Sequence, residues 1–272
     1  AKGRHTLKLS YSGKINRSAA GLFAVDYKGV DGKDARLLVT QFEAPDARRF
    51  APMWDEPALK ATFRLSALAP TGQMAFSNMP VASKEETAGG TLWHFAETPK
   101  MSSYLLFLGM GHVDRKTVMA GGTEIGIITR KGAVDQGDYS LASAQKLLAY
   151  FNDYFGTPYP LPKLDMIAAP GSSQFFGAME NWGAILYFER TVLLDPRLQT
   201  EGQKQGVFNT VAHEMAHQWF GDLVTMSWWD DLWLNEGYAS WMASKAADDL
   251  NPEWQALTQS LSGARQGAFS LD

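Results

Sequence analysis

The sequence predicts an α+β protein, with an antiparallel β-sheet region first and a mainly helical region after it. Two patterns carry this. Through the first third, short stretches of alternating apolar and polar residues recur between turn-forming residues, as half-buried strands require. Beyond about residue 140 the apolar positions fall instead three and four apart, the spacing of one helix face. At 272 residues and 45% hydrophobic, the chain suffices for one large domain or two ordinary ones.

The first strand candidate is "HTLKLSYSG", which alternates cleanly. "GLFAVDY" and "ARLLVTQFE" flank "KGVDGKD", a turn-rich link suited to a hairpin. "TFRLSAL", "GQMAFSN", "TLWHFAE" and "SYLLFLGMG" follow as further short strands, together predicting a sandwich-like or saddle-like sheet. The β pattern is expected to stop near Asp114 to Lys116, dividing the chain into 1–115 and 116–272. Leu141, Ala144, Leu148, Phe151 and Phe155 then mark an amphipathic helix ended by "GTPYPLP". "KLDMIAAP" and "GAILYFE" read as strands, about 202–220 and "LWLNEGYASWMASKAADDL" as helices, with a third helix after Pro252.

Charged residues make up 20% of the chain and the net charge is −4, so no basic surplus suggests nucleic-acid binding. No apolar run approaches the roughly 18 residues of a transmembrane helix, and no signal-type apolar segment opens the chain. The first residues, "AKGRHTL", carry no Met, which leads us to expect a processed chain or a fragment. The absence of cysteine excludes disulfides and thiolate ligands and leaves His, Asp and Glu for any metal. Cysteine-free chains occur in several compartments. We expect the cytoplasm, with the periplasm or secretion as alternatives.

Within "VAHEMAHQWFG", His213 and His217 are four apart and so share one helix face. Glu214 stands one step round, near enough to reach a water on a shared ion without being a ligand. This is the His-Glu-x-x-His arrangement of zinc hydrolases. The alternative is a helix with two solvated or internally bonded histidines. A zinc hydrolase needs a third protein ligand and an open fourth position. Glu236, in the next predicted helix, is the favoured candidate because a rigid element holds it. Asp222, Asp230 and Asp231 compete from the connection, Asp231 standing where an N-cap acid is expected. His5, His94 and His112 are expected to be ordinary strand or loop residues.

With Glu236 placed beyond His213-Glu214-x-x-His217, the pattern resembles the zinc aminopeptidases related to aminopeptidase N and leukotriene A4 hydrolase, of the gluzincin type. "GAMEN", residues 177–181, resembles that family's exopeptidase signature, and "TQFEAPDARRFAPMWDEPALKATF" resembles its N-terminal domain. The resemblance implies a saddle-like sheet domain followed by an incomplete thermolysin-like zinc-peptidase domain. It implies His213, His217 and Glu236 as ligands of one Zn2+ per chain, and Glu214 as general base toward the attacking water. It also implies Glu180 as anchor of a free α-amine, Glu43 as a second acidic partner, and Gln41 and Met179 as lining of the first side-chain pocket. The backbone of Gly177 and Ala178 is expected beside the substrate.

The implied substrates are peptides with a free N-terminus. The resemblance further implies an oxyanion-binding tyrosine and a closing C-terminal helical domain beyond "GAFSLD", and more strands before "HTLKLSYSG". We therefore expect a piece of a longer protein, weakly active alone. Tyr187 and Tyr238 do not match the tyrosine's position. Asn235 is a candidate partner of the metal ligands, with plain helix surface as the alternative. Trp182, Trp219, Trp228, Trp229, Trp233 and Trp241 are expected mainly in the core. Three other classes remain open: a bifunctional epoxide hydrolase, a zinc endopeptidase, and a scaffold without a metal.

Overall fold

The structure, a computed structural model, describes residues 5–260 together with Gly3 and Ser262. Strands β1 (Gly21–Lys28) and β2 (Asp34–Gln41) form the expected hairpin, pairing from Gly21 opposite Gln41 to Lys28 opposite Asp34. A short helix α1 (Ala47–Phe50) follows. Then come β3 (Ser66–Ala69), β4 (Met74–Ser77), β5 (Val81–Thr87), β6 (Gly90–Phe95) and β7 (Leu108–Gly111). They build two antiparallel sheets, ordered β1-β2-β7-β4 and β3-β6-β5.

The β pattern does not stop at 114–116. It continues through β8 (Val113–Ala120) and β9 (Thr123–Arg130), an antiparallel pair. These enter a third sheet, β11-β12-β10-β9-β8, with β10 (Lys163–Ala169), β11 (Ala178–Met179) and β12 (Ala184–Phe188). Helix α2 (Asp138–Phe155) crosses from β9 to the parallel strand β10 and stops at Gly156, whose φ of 61° is left-handed. Every residue of β10 is buried, as expected of a central strand covered on both faces. A short α3 (Glu189–Val192) precedes α4 (Glu201–His217) and α5 (Leu232–Leu250).

Two further expectations are corrected. "HTLKLSYSG" forms no strand. Its alternating Leu7, Leu9 and Tyr11 are exposed, because among the described residues no neighbouring strand receives that face. Strand β5 was not foreseen, since all its residues are exposed and it shows no apolar alternation. Beyond α5, Pro252–Trp254 form a 3-10 turn and 256–260 are helical, while "GAFSLD" lies outside the described residues.

One apolar core joins the first sheet to the helices. It runs from Phe23, Leu37, Val39 and Phe42 through Ile125, Ile127 and Met166 to Val211, Met215, Ala239 and Met242. A smaller cluster, Ala67, Ala69, Ala75, Trp93 and Phe95, sits behind β3 and β6.

Where the sheets meet, Asn78 and Lys163 are buried and hydrogen-bonded. Asn78 donates to the carbonyls of Leu105 (2.8 Å) and Trp182 (2.9 Å) and accepts from the Phe107 amide (2.8 Å). Lys163 pairs with Asp165 (2.9 Å) and donates to the carbonyls of Ser77 (2.6 Å) and Gly183 (2.7 Å). Gly183 has φ +76°, and a Cβ there would stand 2.7 Å from the Asn78 carbonyl oxygen, so only glycine fits this turn. The junction therefore pins residues 182–183, which lie just past the GAMEN segment.

Asn78→Leu keeps the volume but strands three buried backbone groups. It is expected to lower the unfolding free energy by at least about 2 kcal/mol, checked by urea denaturation.

Candidate metal and substrate site

Helix α4 starts with a reciprocal cap. The Thr200 hydroxyl accepts from the Gln203 amide (3.3 Å), and the Gln203 side chain accepts from the Thr200 amide (2.9 Å). The helix ends on His217. Its buried face, Val207, Phe208, Val211, Ala212, Met215 and Ala216, packs against Ala239, Met242, Ala243, Ala246 and Ala247 of α5. These small side chains let the two helices approach closely. Glu236 is thereby carried to the histidine pair.

His213 Nε2 and His217 Nε2 stand 3.0 Å apart. Glu236 carboxylate oxygens lie 3.2 Å from His213 Nε2 and 3.7 Å from His217 Nε2. One ligand atom from each of the three falls within 4.8 Å of the others. The outer nitrogen of His217, Nδ1, donates to the Asn235 side-chain oxygen and the Phe220 carbonyl, each at 3.2 Å. That fixes the tautomer and turns the Nε2 lone pair toward the common centre. The donor set suits a divalent transition metal. Two imidazoles and one carboxylate, with room for water, are the ligands of an open catalytic zinc site.

The surrounding charge is strongly acidic. Burial pushes the Glu214 carboxyl well up, and Glu180, Glu236 and Glu43 push it further, against the pull of His217. Glu43 is raised by burial and then by Glu180 and Glu236. Asp222 is fully buried and neither of its carboxylate oxygens has a hydrogen-bond partner; burial raises it, and Glu180 adds to the effect. Burial opposes a charged His217, but Glu180, Glu236 and Glu214 together outweigh it and drive the imidazole up. Burial likewise opposes ionisation of Glu236, yet hydrogen bonds from both histidines outweigh it and hold the carboxyl well below its ordinary value.

A cleft of about 820 Å3 opens beside this centre, lined by Glu43, Glu180, His213, Glu214 and Glu236 together with Gly177 and Ala178. Glu43, just past β2, lines the cleft, where the family resemblance puts it. It approaches Glu180 and Glu236 with oxygens within 4.8 Å of one another. β11 is the edge strand of its sheet, and the Gly177 carbonyl is taken by Phe188 N (3.1 Å) and Thr191 Oγ1 (3.2 Å). Gln41 and Met179 are buried in contact with each other, Nε2 to Sδ 3.7 Å, behind the cleft.

Asp230 and Asp231 stay in the turn before α5. Asp231 occupies the N-cap position but its side chain makes no capping bond. His94 bonds Ser66 (2.8 Å) and His112 bonds the Gly72 carbonyl (3.1 Å), away from the His213–His217–Glu236 cluster. The tryptophan expectation needs correcting. Trp182 and Trp219 are core, but Trp228, Trp233 and Trp241 are exposed, because they sit on the outer side of α5 and its approach. Tyr187 is buried and Tyr238 packs on Phe220 with ring centroids 4.3 Å apart. Asn235 is buried against His217, not on the helix surface. Sequence reading missed Gln218, a buried amide inside "AHQWFG". Its signal was a lone neutral polar residue among apolar neighbours.

The chain belongs to peptidase family M1. The Peptidase family M1 domain matches residues 139–272, and the Peptidase M1 N-terminal domain matches residues 1–105. The chain is 49% identical to aminopeptidase N of Acetobacter pasteurianus, over 89% of this chain and 68% of that protein. It is 45% identical to aminopeptidase M1-B of Oryza sativa subsp. japonica and 42% identical to aminopeptidase M1 of Arabidopsis thaliana, each over 97% of this chain. It spans 30% of the length of each plant relative. Among the described residues no helix is long and apolar enough to cross a membrane.

Thr200→Ala removes the cap that starts α4 and is expected to lower stability by about 1 kcal/mol. Calorimetry checks this, and metal stoichiometry should not change, because the candidate ligands lie at the opposite end of the helix.

Proposed function

We propose that this chain carries the metal and amine subsites of a zinc-dependent aminopeptidase that hydrolyses N-terminal residues from peptides. The observation that supports it best is the meeting of Glu43 and Glu180 with the ligand candidate Glu236, within 4.8 Å. A free α-ammonium and a metal ion would then be neighbours. His213, His217 and Glu236 would hold the zinc, which supplies Lewis acidity toward a scissile carbonyl and acidifies water.

Glu214 accepts a proton from the attacking water and returns it to the leaving amine. Its burial in an acidic site makes it a stronger base than an exposed carboxylate. Glu180, with Glu43 beside it, holds the ammonium by charge-assisted hydrogen bonds. Only the first residue of a peptide places an ammonium one residue from the scissile carbonyl, so this anchor restricts cleavage to that residue. The open edge of β11 receives the peptide backbone as an added strand, and the absence of side chains on Gly177 allows close approach.

Zinc at about 100 times its Kd is expected to raise the unfolding free energy by about 2.7 kcal/mol. The same titration of His213→Ala should give no such rise, and elemental analysis should find its zinc gone. A wild-type chain that folds but takes up no zinc overturns the reading. Glu214→Gln should keep the metal and lose roughly 10²–10⁴-fold in kcat, read by release of N-terminal residues. Glu180→Ala should weaken turnover of free-amine substrates far more than zinc binding. Equal loss of both would remove Glu180 from the anchor role.

A further inference from the structure

Glu180 is 2% exposed, yet the strand that delivers it, β11, is only two residues long. Two ladder pairs, Ala178 with Tyr187 and Met179 with Leu186, cannot by themselves fix a carboxylate against two helices. Two neutral amide side chains supply the missing restraint.

Gln218, fully buried one residue past His217, brackets the turn that follows Glu180. Its Nε2 donates to the Glu180 carbonyl (3.0 Å) and its Oε1 accepts from the Gly183 amide (3.0 Å). The same amide meets the Tyr159 hydroxyl at 3.4 Å and the Glu214 carbonyl at 3.5 Å. One side chain therefore joins the backbone at Glu214 to the backbone at Glu180.

Asn235 completes the link through side chains. Its Nδ2 donates to Glu180 Oε1 (3.4 Å), and its Oδ1 accepts from His217 Nδ1 (3.2 Å). Gly221 makes room for it. Its φ is +144°, and a Cβ there would stand 2.7 Å from Asn235 Oδ1 and 3.0 Å from His217 Nδ1.

Building on the aminopeptidase reading, we infer that Gln218 and Asn235 are positioning residues that fix Glu180 relative to the metal ligands and so set the one-residue cleavage register. Neither touches substrate. Both are neutral, so they hold Glu180 without cancelling the negative charge that an ammonium needs. The distance between an amine anchor and a scissile carbonyl must hold within a fraction of an ångström, since misplacement by about 1 Å can lose on the order of 10²-fold in rate.

The test uses the zinc-loaded enzyme and compares kcat/KM for a free-amine peptide with that for its N-acetylated form. Gln218→Met keeps the side-chain length and removes every polar link. The ratio is expected to fall about tenfold or more, as follows when an anchor shifts by a fraction of an ångström, with zinc still at one per chain. Mass spectra of the products should also show release of dipeptides as the register loosens. An unchanged ratio and register in Gln218→Met overturns the inference. So does an equal loss on both substrates accompanied by loss of zinc, which marks a general structural role.

If Gln218→Met does not fold, Asn235→Ala carries the test. It removes the bond to Glu180 while His217 Nδ1 keeps the Phe220 carbonyl at 3.2 Å. With zinc in excess, a lowered ratio supports the inference and a wild-type ratio overturns it. A wild-type enzyme without preference for the free amine overturns the aminopeptidase reading as well, and this is seen before any variant is compared.

Discussion

Ionised carboxylates cannot be buried together without compensating charge, and this molecule gathers Glu43, Glu180, Glu214, Asp222 and Glu236 about a single pair of imidazoles. Glu43, Glu214 and Asp222 all have carboxyls driven upward by burial and by one another. Lys60 spends its ammonium on the carbonyls of Asp222 and Leu223, both at 3.1 Å. The protein therefore leaves the centre acidic. A metal cation among His213, His217 and Glu236, with a second cationic group beside Glu43 and Glu180, would relieve that excess. The mutual repulsion of these carboxylates and their capacity to hold cationic guests have the same origin.

That excess can persist only if the scaffold is rigid enough not to relax away from it. Three kinds of element meet at the site. The helix pair supplies His213, His217 and Glu236 from α4 and α5, with small residues closing the interface. The third sheet supplies β11 and its edge. The first sheet supplies Glu43 from the end of β2. Each alone would leave its carboxylate free to swing into water. Asn78, Lys163 and Gln218 bind these elements together through buried backbone groups, so that separating them would strand several unpaired donors and acceptors at once.

The clustering of His213, His217 and Glu236 was legible because its logic is local. Four-residue spacing fixes two histidines on one face whatever the rest of the fold does, and the α5 sequence has a clear helical pattern carrying Glu236. The α2, α4 and α5 helices were legible for the same reason. The junction was not. Asn78 and Gln218 find partners 104 and 35 residues away in the turn at Trp182 and Gly183, and no periodicity encodes that. β5 was invisible because all its side chains face solvent. β8 and β9 were overlooked because the buried face of β9 is a nearly continuous apolar run, "IGII", rather than an alternation. Glu43 was legible only through the family resemblance, because its local pattern is merely that of a strand end, yet it stands beside Glu180 and Glu236.

If His213, His217 and Glu236 hold the metal and Glu180 the amine, as proposed, the contrast in their placement has a physical reason. A metal ion holds its own ligands once bound, so the helices need only bring three side chains near each other, and His213 keeps some exposure beside the cleft. An amine anchor receives no such help. Its carboxylate must be at the right distance before the substrate arrives, and the substrate's ammonium is too flexible a partner to impose one. Two buried neutral amides accordingly bond Glu180, whose supporting strand is the shortest in the molecule among the described residues. Neutral amides suit that task better than a lysine or arginine. A cation there would hold Glu180 equally well but would neutralise the charge that makes it useful, whereas Gln218 and Asn235 restrain its position and leave its field intact.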